Sequence, residues 1–163
     1  MNLWILALSH LIHVLGTVVW IGGILMTLLV ILPGSKAAIE SAPMVGKLMK
    51  EVAKRFTPLA NISILLLIAT GIIIFYDDKN YTSFLDIKNR WNVLIALKHV
   101  LVAIMIIIHF YRGLILSQKI EKSFSKPNEI QPARLKKLSL DLVKVNFALG
   151  IIVLLLTAVS ISI

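Results

Sequence analysis

Four histidines are the side chains best placed for chemistry, and all four fall inside long apolar runs: His10, His13, His99 and His109. An ionisable group in such a run is costly, so it faces a helix-bundle interior or a cavity rather than lipid. His10, His13, Thr17, Trp20 and Thr27 follow one another at spacings of three, four, three and seven, which makes them one stripe of a helix. Gly16 and Gly23 flank that stripe and let a second helix, or a flat ligand, come close. Imidazole is a common metal ligand. Counted from the middle of their runs, His13 and His99 both lie roughly 6 Å to the outer side at 1.5 Å rise per residue. Two level histidines on separate helices can ligate one planar b haem through both faces, which nominates His13 and His99 as metal ligands. His109 lies about 15 Å along the helix from His99 and has no histidine at its own depth, so the inventory fits one haem better than two.

Lys98 is the other unusual residue. A lysine deep in an apolar run must be paired, deprotonated or extended to the interface. Its candidate partners are a haem propionate or a substrate carboxylate, and an axial amine is a third role. Lys98 shares a helix face with Met105, His109 and Arg112, because eleven residues return to within about 20° on an α-helix.

The helices that carry these residues can be read from composition. The chain is 58% hydrophobic, with mean hydropathy +0.92. No formal charge occurs from Met1 to Ser35, from Phe56 to Tyr76, or after Lys144, and Lys98 alone interrupts Arg90 to Arg112. A bilayer core needs about 20 apolar residues as a helix. The sequence therefore predicts an all-α integral membrane protein: a four-helix bundle spanning at roughly 3–32, 57–76, 91–115 and 140–162, with residues 1–163 as one domain. The first run lacks a basic leader and is longer than a signal-peptide core, so it reads as a retained span. With no cysteine, thiolate sites and disulfides are excluded.

The net charge of +9 is distributed as a membrane protein distributes it. Five Lys/Arg lie in 33–55 and eight in 112–144; the three in 77–90 are set against Asp77, Asp78 and Asp86. Basic loops stay in the cytoplasm, which puts both termini outside and the chain in the plasma membrane as a multi-pass protein. The basic surface meets anionic lipid, so the bilayer is the partner and no nucleic acid is needed. Met44 to Phe56 is amphipathic and reads as a helix lying on the cytoplasmic leaflet. Thr57-Pro58 then begins the next span as N-cap and first turn. The segment with Pro127 and Pro132 reads as a solvated turn. The hydroxyls, glycines and asparagines of the second and fourth spans (Asn61, Ser63, Thr70, Gly71, Asn146, Gly150) read as packing groups.

His13-Val-Leu-Gly-Thr-Val-Val-Trp20-Ile-Gly22-Gly23 resembles the first helix of the CopD-like copper-resistance membrane domain. It also resembles the HemJ-type membrane protoporphyrinogen oxidases, in which a histidine precedes a tryptophan by seven. Arg55-Phe56 through Thr70-Gly71 resembles the second CopD helix, and Lys98 with His109 is similar to the lysine and histidine of the third HemJ helix. The resemblance covers about residues 8–115. The HemJ branch implies haem b and oxidation of protoporphyrinogen IX, with His13 and Lys98 as the catalytic pair. Where that branch has Leu-Pro-Arg-Leu after the tryptophan, this chain has Ile24-Leu25-Met26-Thr27. The CopD branch implies copper handling.

Three functions are therefore expected. The first is a haem-b membrane protein with an electron-transfer or porphyrinogen-oxidase-like role. Its axial ligands are His13 and His99, with His10 as substitute ligand or supporting neighbour. Lys98 and Arg90 balance the propionates, Trp20 packs on the ring, and Gly16 and Gly23 make room for it. The second is a CopD-type copper protein using His10, His13, His99 and Met105. The third is a non-catalytic subunit of a larger membrane complex. A redox partner and a homo-oligomer are compatible with the first and third.

Overall fold

The computed structural model describes residues 2–77, 89–125 and 132–162. Almost all of these residues are helical, and no strand occurs among them. Four helical stretches are long and apolar enough to cross a membrane: Leu3–Ala38, Ala42–Asp77, Arg90–Ser123 and Pro132–Ser162. Only 17–22% of each most apolar window is buried inside the protein, so the remainder presents its leucines, isoleucines and valines outward, as a bilayer requires. Asp78, Asp86 and Pro127 lie outside the described residues.

The chain forms two compact units, Met1–Thr82 and Ser83–Ile163. In the first, α1 (Leu3–Met26) passes through a π-turn (Thr27–Ile31) into the short α2 (Leu32–Ala38), and α3 (Ala42–Asp77) returns along α1. Asn2 caps α1, its side chain accepting from the Trp4 N–H. The buried residues of these two helices are small and polar as well as apolar: Ser9, Gly16 and Trp20 on α1, and Ala60, Ser63, Ile64 and Thr70 on α3. Small residues let two backbones approach in lipid, where dispersion and interhelical hydrogen bonds replace the hydrophobic effect.

The second unit repeats this order. α4 (Arg90–Phe110) passes through a π-turn (Tyr111–Leu116) into the short α5 (Ser117–Ser125), and α6 (Pro132–Ser162) packs on α4. Asn89 caps α4 as Asn2 caps α1, accepting from the Trp91 N–H. Each short helix buries one serine, Ser35 or Ser123, whose hydroxyl donates to the carbonyl three residues back.

The structure departs from the sequence expectation in α3. The amphipathic stretch Met44 to Phe56 is helical as expected, but it is continuous with the span rather than a separate helix. Pro58 sits inside α3, and Thr57 does not act as an N-cap; its hydroxyl donates back to the Ala53 carbonyl at 2.8 Å. An interior proline removes one ladder bond, and a serine or threonine hydroxyl nearby is a common means of re-satisfying the backbone in membrane helices.

Candidate functional site

α1 and α3 meet around His13. Its Nδ1 lies 2.9 Å from the Thr70 hydroxyl oxygen, and that hydroxyl lies 2.6 Å from the Leu66 carbonyl. Thr70 is in a helix interior, so its one proton goes to the carbonyl, which can only accept. The oxygen must then accept from His13, which makes Nδ1 the protonated nitrogen and leaves the ring's lone pair on Nε2. A histidine whose one nitrogen is fixed by a hydrogen bond presents the other as an oriented ligand. The ring lies over Gly71: a Cβ there would stand 3.5 Å from Cε1. Thr17, one turn further along α1, donates to the His13 carbonyl at 2.9 Å. His13 itself is half-buried, at the edge of the interface rather than sealed in it.

The rest of the α1 stripe divides by depth. His10, one turn before His13, is exposed, and Trp20, two turns beyond, is buried. The glycines meet α3. A Cβ on Gly16 would lie 3.2 Å from the Leu67 side chain and 3.4 Å from the Ser63 carbonyl. A Cβ on Gly23 would lie 2.1 Å from the Phe56 ring, so that ring occupies the space the glycine leaves. Both glycines thus stand against α3, the close approach of a second helix that is one of the two expectations for them.

In the second unit, His99 is exposed, and its Nδ1 donates to the Ile95 carbonyl at 2.7 Å. This fixes the same tautomer as in His13, with the lone pair on Nε2. Lys98 is half-buried and Arg90 is exposed at the first turn of α4. Met105 and His109, on the same α4 face as Lys98, are buried, and Arg112 in the π-turn that follows donates its Nε–H to the Ser139 hydroxyl of α6 at 3.4 Å. Asn146 of α6 is 1% exposed, and its Oδ1 is buried with no hydrogen-bond donor among the described residues.

Sequence reasoning singled out His13, His99 and the Lys98–Met105–His109–Arg112 face. It passed over Thr70 and Asn146 as packing groups. Thr70 is flagged by its neighbour, since a hydroxyl followed by a glycine offers a hydrogen bond and a gap at one turn. Asn146 is flagged by type, because an amide has more bonds to satisfy in lipid than a hydroxyl. Among the described residues, no three of His, Cys, Asp and Glu gather as a metal-holding group. A metal bound here relies on fewer imidazoles, or on thioether and amide donors beside them.

The chain matches the family described as copper resistance protein D over residues 50–160. The matched stretch includes α4 and most of α3 and α6, whereas His10 and His13 precede it. No curated protein and no solved structure matches the chain.

Proposed function

Because the chain belongs to the copper resistance protein D family, we propose that it handles copper at the membrane, with His13 presenting its Nε2 to the ion. The observation that carries this reading is the His13–Thr70–Leu66 hydrogen-bond chain. It holds the imidazole in the tautomer and orientation that a metal ligand needs, and such supporting bonds raise ligand basicity. His10 is one turn away on the same stripe, within reach as a second imidazole. Imidazole donors suit copper. Copper is here the cargo, and the half-buried setting of His13 suits an ion that must enter and leave.

Family membership favours copper over haem b, the first of the sequence expectations. The haem reading pairs His13 with His99; the copper reading proposed here draws on His13 and His10 of the first hairpin, two of the four copper ligands expected from the sequence. The charge of the basic loops supports an orientation in which the copper-binding end of α1 faces the outer side of the plasma membrane.

The test is a Cu(I) competition titration against a chromophoric chelator, on protein reconstituted in nanodiscs. The wild type is expected to extract copper, and His13→Ala to weaken binding by at least about tenfold. A wild type that takes no copper, or a His13→Ala variant that binds equally well, overturns the reading. So does a purified protein carrying about one iron per chain and the sharp reduced band of low-spin b haem.

A further inference from the structure

We propose a second soft-metal site inside the second hairpin, formed by the Met105 thioether, the His109 imidazole and the Asn146 amide oxygen. The identity of the ion rests on the copper reading above; the site rests on the packing of α4 and α6.

α4 and α6 pack on each other, and the Arg112–Ser139 hydrogen bond joins α6 to the π-turn just after α4, which gives a common reference level for the two helices. From that point, seven residues back along α4 reach Met105, and seven forward along α6 reach Asn146. Seven residues rise about 10 Å along either helix, so the two residues lie at about one level. Burial makes them interior: Met105 and Asn146 are each 1% exposed and His109 is 7% exposed. His109 lies one turn from Met105 on the same face.

The unanswered group is an acceptor. A buried amide oxygen with no donor is a cost that a folded protein rarely keeps without a use. It calls for a proton donor or a cation. Its neighbours choose between them: a water would need several polar partners, and a thioether is a poor one. A thioether and an imidazole together are soft donors of the kind that select Cu(I). None of the three donors carries a negative charge, which fits a monovalent ion better than a divalent one. Met105 is also near the middle of the span Arg90–Ser123. An ion crossing the membrane needs a stopping place at that depth, and transporter sites lie there.

X-ray absorption at the copper edge of Cu(I)-loaded protein in nanodiscs tests the site. The wild type is expected to show a sulfur neighbour. Met105→Leu, a swap of similar volume, is expected to abolish it, and His13→Ala to leave it in place. Selenium-edge spectra of selenomethionine-substituted protein are the second readout: a copper neighbour of selenium is expected in the wild type and lost in Met105→Leu. Copper bound through nitrogen and oxygen alone, or a sulfur neighbour that survives in a folded Met105→Leu, overturns this site and leaves the His13 reading standing. A wild type that binds no Cu(I) overturns both.

Discussion

Thr70 decides which nitrogen of His13 is offered as a ligand. With its proton committed to Leu66, it can only accept, and the imidazole has one way to answer. Thr70→Val keeps the shape and removes the acceptor. It is expected to lower Cu(I) affinity by about 10–100-fold, the usual cost of losing such a supporting bond, while Thr70→Ser retains it. The chelator competition measures both, and the nitrogen shifts of His13 by NMR read the tautomer directly. Asn146 gives the opposite kind of prediction. Asn146→Leu removes a buried, unanswered oxygen, so the metal-free protein should gain about 1–3 kcal/mol. Thermal melts should show that gain, together with a smaller upward shift on adding Cu(I). The histidines are legible in the sequence because imidazole is rare in lipid. Thr70 and Asn146 are not, because hydroxyls and amides serve ordinary helix packing so often that type alone does not mark them.

Among the elements, two adjacent glycines of α1 differ in surroundings, and the α1–α3 contact depends on one of them. Gly23 faces the Phe56 ring, and Gly22 has nothing within 4 Å of its would-be Cβ. Gly23→Ala should destabilise by about 1–3 kcal/mol through overpacking. A second change, Phe56→Leu, should recover part of that loss in a double-mutant cycle. Gly22→Ala should cost nothing, and the greater helix propensity of alanine favours it. Unfolding in mixed micelles resolves the difference. The continuity of α3 has its own measure. Spin labels at Lys47 and Leu65, both exposed, should sit about 27 Å apart in a narrow distribution, at 1.5 Å per residue. A bent junction at Thr57-Pro58 would shorten and broaden that distance. The amphipathic pattern of residues 44–56 announces a helix, and the hydropathy of 57–76 announces a span. Their fusion is not legible, because Thr-Pro is as good a helix start as it is a tolerated interior pair; the Thr57 bond to Ala53 settles which.

For the whole molecule, the four membrane-capable helices are the most legible feature, since lipid leaves few other ways to satisfy a backbone. The orientation rests on loop charge, and the absence of cysteine makes it simple to examine. Single cysteines at Asn2 and Ser162 should react with an impermeant maleimide on intact cells, whereas cysteines at Lys47 and Lys136 should react only after permeabilisation. The reverse pattern would place the basic loops outside. Less legible is the shared order of the two hairpins, each with a π-turn before its short helix. Such a turn behaves as a one-residue insertion, and one residue is worth about 100° around a helix axis. The turns at Thr27–Ile31 and Tyr111–Leu116 therefore set the rotational phase of the short helices beyond them, turning Ser35 and Ser123 inward. Deleting one residue from either would give a more regular helix and swing its buried serine toward lipid: better local geometry, wrong azimuth.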